Sequence, residues 1–304
     1  MSVALLAATL LAMTSFASAG AFSAVISYGD SLSDNGNLYA ATGYPQPPYW
    51  NGRFSNGPVT VEYLANSLHS PLVDFAWGGA TTGVGNDGDG GTQTTVGFLG
   101  LPGMQPQVAN SLSQPPITAL LPSALVMVWG GPNDFATNGL SKTTAQTAVA
   151  DMIGMVAALQ VAGATHILVP GMPDLGLTPE YMSQGTAVAA AGTFLSGYFN
   201  QLLLNQLPKG VVYYDTFNFM HQVVANPGSY GFTDVTDPCF NTVAQTVCSN
   251  PGQYLFWDGF HPTTAADEIL AAQFANAVPE PSTLLLLGTG IAGLAGVLKR
   301  KLSA

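Results

Sequence analysis

Charge is the scarcest property of this chain. Only 8% of its 304 residues are charged, and just six are Lys or Arg against 17 Asp and Glu. Nucleic acid is held by clustered cations on a basic face, so this composition speaks against a nucleic-acid partner. A net charge of −11 favours neutral substrates over anionic polymers. Histidine is also rare. His69, His166 and His221 show no metal-ligand spacing such as H-E-x-x-H, and they read as structural residues. We therefore expect no metal ion and no cofactor. Asn86-Asp87-Gly88-Asp89-Gly90 has the alternating Asp and Gly of a calcium loop, but no Glu follows at the closing distance.

Glycine and proline are plentiful, with 35 and 21 residues, so long loops are expected. The length allows one large domain or two small ones with ample core. Residues 1–19 read as a secretory leader. An apolar run from Val3 to Met13 gives way to small residues ending Ala17-Ser18-Ala19, although Lys and Arg are missing from its n-region. At the other end, Val278-Pro279-Glu280-Pro281 breaks a helix. An almost wholly apolar stretch, Leu284 to Leu298, follows and ends in Lys299-Arg300-Lys301, half of all the basic residues. That is the pattern of a membrane stop with its basic end in the cytoplasm. The working division is a leader over 1–19, a domain over 20–277 and a tail over 278–304. Cys239 and Cys248 are the only cysteines, and in an exported chain two this close most simply pair. A loop of about ten residues would contribute roughly 2.5 kcal/mol and brace the segment Tyr254 to Thr263.

Between leader and tail, strands alternate with helices. Val25-Ile26 opens an apolar strand, and Pro71 to Ala76, Ala124 to Trp129, His166 to Pro170 and Val211 to Tyr214 read as four more. Helices are expected over Pro58 to His69, Thr143 to Ala162, Ala187 to Leu207 and Thr264 to Ala277, from apolar stripes at helical spacing. Asn86 to Thr95 reads as a flexible glycine-rich loop. The order predicts an α/β fold, with a five-stranded parallel sheet covered by helices on both faces.

Residues that can carry chemistry fall just after strands. Ser31 follows Val25-Ile26-Ser27-Tyr28-Gly29-Asp30, where Gly29 permits a tight exit. Alone, such a serine could equally be a turn former or helix cap. Trp77-Gly78-Gly79-Ala80 ends the second strand, with small residues that let a backbone N–H approach a reacting group. Asn133, in Gly130-Gly131-Pro132-Asn133-Asp134, ends the third. Asp258 and His261 share the last loop, three residues apart, so the carboxylate can reach back to the imidazole. Acyl transfer needs a nucleophile, a base, an orienter for the base and oxyanion donors. Ser31, His261 and Asp258 supply the first three. The Ser31 and Gly79 N–H groups and the Asn133 amide supply the fourth. All would meet at the carboxyl edge of one sheet, where α/β folds bind ligands. Asp134 and Asp174 read as loop acids. The proline-rich stretch Tyr44 to Gly57 carries Tyr44, Tyr49, Trp50 and Phe54, which either line an acyl pocket or pack the loop onto the sheet. Trp50, Phe54, Trp77 and Phe135 are the candidate pocket walls.

Four blocks, Gly29-Asp30-Ser31-Leu32-Ser33-Asp34, Gly78-Gly79-Ala80-Thr81, Gly131-Pro132-Asn133-Asp134 and Asp258-Gly259-Phe260-His261-Pro262, resemble in order and rough spacing those of the GDSL, or SGNH, hydrolases. The segment Tyr49 to Gly57 resembles the larger, plant-like branch of lipases and esterases. The resemblance implies a flavodoxin-like, three-layer α/β/α sandwich and metal-free hydrolysis of carboxylic esters. It also implies Ser31 as nucleophile, His261 as base, Asp258 as its partner, and Gly79 and Asn133 as oxyanion donors. Pro132 stands at the variable position of the third block and leaves the Asn133 side chain in place. The tail is similar to the PEP-CTERM sorting signal, which implies export from a Gram-negative bacterium and removal of the tail by an exosortase. Two other functions stay open at this level. One is an acetyl esterase acting on extracellular polysaccharide. The other is a non-catalytic surface or matrix protein on a hydrolase fold, which would have no need to keep Ser31, Asp258 and His261 together.

Overall fold

Val25–Gly29 is the strand on which the other layers are assembled. In the computed structural model, which describes residues 22–279, this strand, β1, is buried along its whole length. The chain then forms α1 (Asn37–Thr42), α2 (Thr60–Ser67) and β2 (Leu72–Asp74), and next α3 (Met104–Leu112), α4 (Pro115–Leu120) and β3 (Leu125–Trp129). It continues through α5 (Pro132–Asn138), α6 (Lys142–Val161), β4 (His166–Pro170), α7 (Pro179–Ser183), α8 (Thr186–Gln206) and β5 (Val212–Tyr214). The last elements are α9 (Thr216–Ala225), β6 (Asp234–Pro238), β7 (Phe240–Asn241), β8 (Thr246–Val247), β9 (Tyr254–Phe256) and α10 (Thr264–Ala277). The leader over 1–19 and the apolar and basic parts of the tail lie outside the described residues.

The main sheet has the order β2-β1-β3-β4-β5. Every pairing in it is parallel, with Val25 opposite both Leu72 and Leu125. The chain leaves β1 in one direction to reach β2 and the other to reach β3, so the end of β1 is a topological switch point. Side chains alternate across the sheet. Val25, Met127, Trp129 and Leu168 pack with Val61, Leu64, Leu270 and Phe274 of α2 and α10. Ile26, Val126, Val128 and Val169 pack on the other face with Val108 of α3, Met152 of α6 and Leu195 of α8. Burial on both faces favours strands that are apolar rather than alternating, which is why β3, Leu-Val-Met-Val-Trp, and the Val25-Ile26 opening of β1 read as strands in the sequence. The result is the expected α/β/α sandwich.

Two expectations about the connections are corrected. The stretch between β2 and β3 contains two helices rather than only loop. Half of the buried face of α3 is polar, so its apolar period is masked: Gln107 pairs with both backbone groups of Gly29, at 3.0 and 2.9 Å, and Ser111 meets the Tyr28 hydroxyl at 2.6 Å. Asn86 to Thr95 is likewise tied in place. Asn86 bonds Gly78 O and Gly88 N, while the Asp89 carboxylate accepts the Leu99 and Leu101 amides, each at 3.0 Å. Strand β2 is shorter than the expected Pro71 to Ala76; beyond Asp74, whose carboxylate accepts the Asn35 and Ala76 amides, the chain still donates to β1 through Phe75 N–H to Ser27 O and Trp77 N–H to Gly29 O. Helix α9, the parallel pair β6–β9 and the hairpin β7–β8 had no sequence counterpart.

Several acids are buried without a cation. Asp267 of α10 accepts the Thr60 amide and hydroxyl, at 3.2 and 2.7 Å, and the Ser55 hydroxyl at 3.1 Å, which locks α10 to the start of α2. Burial raises the Asp267 carboxyl to about 7, and the Thr60 and Ser55 donors offset this only in part. Burial likewise raises Asp134 to about 7 and Asp30 to about 6. Between about pH 4 and 7 the folded chain therefore holds protons that the unfolded chain has released, and stability falls as pH rises through that window. Calorimetric melting of residues 20–279 is expected to give a higher Tm at pH 5 than at pH 8, with Asp267→Asn flattening the difference. A Tm that climbs from pH 5 to 8 would contradict protonated buried carboxyls.

Candidate active site

Ser31 sits at the first free position beyond β1. Gly29 ends the strand so close to β3 that a Cβ there would lie 2.4 Å from Trp129 O. The Asp30 carbonyl then accepts the Ser33 and Asp34 amides, at 3.1 and 3.0 Å, and the Asp30 Oδ1 accepts Leu32 N–H at 3.0 Å. The chain thus makes one helix-like turn. Ser31 lies at its start, where amides lack intrahelical acceptors.

His261 comes to Ser31 from the loop after β9. Its Nε2 lies 2.8 Å from Ser31 Oγ, and its Nδ1 lies 2.9 and 2.8 Å from the two Asp258 oxygens. The intervening turn is closed by Asp258 itself, whose Oδ1 accepts the Phe260 and His261 amides, each at 2.8 Å, an Asx turn. The three residues predicted from sequence therefore form one hydrogen-bonded series. Burial alone would raise the Asp258 carboxyl. The His261 charge and hydrogen bonds, with a donor from Tyr49, outweigh it and hold the group below its ordinary value. Burial works against the His261 imidazolium, but Asp258, with help from Asp30 and Asp267, raises its pKa above the ordinary value. Chemically, the series can draw a proton from the Ser31 hydroxyl onto an imidazole whose charge Asp258 balances.

Gly79 and Asn133 line the same cleft as Ser31 and His261. Asn133 donates one Nδ2 proton to Ala80 O at 3.0 Å, which orients its amide. Among the described residues, neither the Ser31 nor the Gly79 N–H donates to a protein acceptor. Gly79 has φ of +79°, and a Cβ there would meet Asn86 Oδ1 at 2.5 Å. The Gly78-Gly79 turn is joined to the Ser31 turn by Asp34. Its carboxylate accepts Gly78 N–H at 2.7 Å and also the Gly36, Asn37 and Leu38 amides. Asp34-Asn35-Gly36-Asn37 reads in the sequence as a turn-rich loop, but the bond from Asp34 to Gly78, 44 residues away, has no local pattern to announce it.

The cleft has a volume of about 770 Å³. Phe54 and Phe135 line it as expected, together with Leu38, Leu101, Leu140, Leu175, Tyr181 and Phe260. Trp50 and Trp77 do not. Trp50 is a surface residue of the proline-rich loop, with the Arg53 guanidinium 5.0 Å from its ring. Trp77 packs against the core beside Leu38 and Phe54. Apolar character alone could not tell a cleft wall from a packing contact. Tyr49 is the residue that sequence reasoning undervalued: its hydroxyl donates to Asp258 Oδ2 at 2.7 Å across a separation no local pattern spans. Cys239 and Cys248 form a disulfide. The hairpin it closes is bonded to the strand that precedes Asp258, through Cys239 N–H to Phe256 O and Phe240 N–H to Trp257 O. Of the remaining candidates, Asp134 accepts the Thr82 amide and hydroxyl, and Asp174 accepts Gly176 N–H and lies 2.9 Å from His221 Nε2.

Fold and site together define an ester hydrolase of the α/β class. The chain belongs to the GDSL-like lipase/acylhydrolase family, whose model matches residues 25–274. Residues 277–301 match the PEP-CTERM protein-sorting motif, which marks the chain for export and membrane-associated sorting in Gram-negative bacteria. The chain is 30% identical to a phosphatidylcholine-sterol acyltransferase of Aeromonas hydrophila, over 90% of its own length and 95% of that protein's. It is 27% identical to a GDSL esterase/lipase of Arabidopsis thaliana, over 80% and 82% of the two lengths. A thermolabile hemolysin of Vibrio parahaemolyticus is also 27% identical over 81% of this chain, which spans 62% of that protein. Among solved structures, an acetyl xylan esterase superposes with a TM-score of 0.47 at 12% identity, covering 84% of this chain and 99% of its own.

Replacing Gly79 by Ala is expected to cost about 1–2 kcal/mol in stability for the left-handed backbone, besides displacing Asn86. Urea unfolding and ester hydrolysis measured together should show activity falling further than stability does. Equal activity in the variant would contradict a required N–H at this turn.

Proposed function

We propose that this chain is an exported serine esterase that cleaves carboxylic esters through an acyl-enzyme on Ser31. His261 takes the Ser31 proton as Oγ attacks the ester carbonyl, and returns it to the departing alcohol. Asp258 keeps the imidazole oriented and balances its charge. Negative charge developing on the carbonyl oxygen is met by the Ser31 and Gly79 N–H groups and the Asn133 amide, donors carried by residues that line the cleft. Water then attacks the acyl carbonyl as His261 takes its proton, and His261 passes that proton to Ser31 Oγ as the acyl–Oγ bond breaks and the acid leaves. The observation that carries this reading is the unbroken series from Ser31 Oγ through His261 to Asp258, with each link at 2.8 to 2.9 Å.

The substrate is an uncharged acyl ester. The residues lining the cleft include Asp30 and Asp87 but no Lys or Arg, so an anionic substrate would find no counter-charge there. Its volume and apolar walls suit an acyl chain better than a bare acetyl group, which supports a lipase-type specificity over a polysaccharide deacetylase. The sorting tail supports delivery to the cell envelope, with exosortase as the processing partner and the cell surface or medium as destination. The domain would then run over about 20–277, between a cleaved leader and the 278–304 tail.

Hydrolysis of p-nitrophenyl esters from acetyl to palmitoyl tests the reading. The parent should cleave them, with longer chains preferred. Ser31→Ala should lower kcat by several powers of ten, and Asn133→Ala by roughly 10²–10³. An unchanged Ser31→Ala rate would overturn the assignment, while acetyl release alone would move the substrate to acetylated glycans. Because His261 must be neutral to accept a proton and its pKa is raised, kcat/KM should rise with pH along a limb centred above 6.5.

A further inference from the structure

Asp258 can hold His261 in place only if its own carboxylate is fixed. Its Oδ1 is pinned by two amides of its own loop, Phe260 N–H and His261 N–H, each at 2.8 Å. These leave one freedom, rotation of the carboxylate plane, which moves Oδ2. The group that stops this rotation comes from the far side of the sequence. Tyr49 Oη donates to Oδ2 at 2.7 Å. The Tyr49 ring is itself wedged edge-on against Phe54, Phe240 and Trp257, with centroids 5.9, 5.6 and 6.3 Å away. Those three rings belong to the proline-rich loop, the disulfide hairpin and the strand leading to Asp258, so the hydroxyl has little room to leave.

We propose that Tyr49 is a positioning residue of the active site: it fixes the plane of the Asp258 carboxylate and takes up part of its charge, so that the carboxylate orients His261 without over-stabilising the imidazolium. The inference rests on the reading of Ser31, His261 and Asp258 as the hydrolytic series. Burial and the nearby Asp258 charge push the Tyr49 phenol upward, so it stays protonated and remains a donor through the working pH range. It also assigns a purpose to the proline-rich loop. That loop carries Phe54, whose ring lies 5.0 Å from the His261 ring, and Tyr49 together, and so contacts both the base and its orienter.

Tyr49→Phe separates this role from simple packing, because the ring and its three aromatic neighbours remain. The expected result is a kcat about tenfold lower with KM unchanged and Tm nearly unchanged. The acid limb of kcat/KM should move to higher pH, because an unshared carboxylate charge holds the His261 proton more tightly. The other groups that bear on this pair are Asp30 after β1, Asp267 of α10 and Tyr44 beside Asp258, and the variant leaves all of them in place. In an Asp258→Asn background, Tyr49→Phe should do little more, since it acts through Asp258. Parental kcat and pH profile in Tyr49→Phe, or an effect that simply multiplies with Asp258→Asn, would overturn the inference. The failures are distinguishable. If Asp258→Asn is itself fully active, the hydrolytic series falls and the inference with it. If Asp258→Asn is crippled and Tyr49→Phe is not, only the inference falls.

Discussion

A single buried carboxylate holds the two halves of this site at a fixed separation. Asp34 accepts four backbone amides, three from the start of α1 and one from Gly78. The turn that presents Ser31 and the turn that presents Gly79 therefore cannot drift apart, although one follows β1 and the other follows β2. Parallel pairing brings the two strand ends to the same edge within a few ångströms; the Asp34 bonds do the finer placement. An oxyanion donor is effective only where the developing charge will lie, so in the proposed mechanism this bracing is what keeps the Gly79 N–H in register with Ser31.

The scarcity of basic residues shapes the electrostatics. Asp30, Asp34, Asp134 and Asp267 are buried and Asp74 is half-buried, and among the described residues no Lys or Arg forms an ion pair with them. Amides and hydroxyls bond them instead, although Asp30 Oδ2 has no partner among the described residues; such donors compensate a carboxylate less fully than a cation does, and burial raises the pKa of each. Asp258 is the exception. It sits against His261 and Tyr49, and its carboxyl is held low. One acid in the neighbourhood is thus kept ionised while the others lean towards the neutral form, and the ionised one is the one that faces the imidazole. Environments that push neighbouring carboxyls apart in this way assign them different roles.

The sequence revealed most where residues repeat a simple physical pattern. Strand β3 is apolar along its length and β1 opens with Val25-Ile26, because both faces of each are buried. Helices α6, α8 and α10 carry apolar stripes, and their ends fall within a residue of expectation. Ser31, Asp258 and His261 could be placed because each follows a strand or shares a short loop. What escaped was set by contacts distant in sequence. Gln107 and Ser111 make half of the buried face of α3 polar, since their partners are Gly29 and Tyr28 of β1. Trp50 and Trp77 have the size of cleft walls but the neighbours of a surface loop and a core. Tyr49 could be read only as a loop aromatic until Asp258 appeared beside it.

The central claim is that Ser31 becomes acylated, with His261 drawing off its proton. Trapping that bond is the most direct measurement. Residues 20–279 would be treated with a fluorophosphonate, weighed intact and mapped by peptide mass. The expected result is one adduct per chain, located on Ser31, forming faster as pH rises through the His261 titration and abolished by His261→Ala. A folded chain that takes up no label, or carries it on another residue while still cleaving esters, would contradict the account.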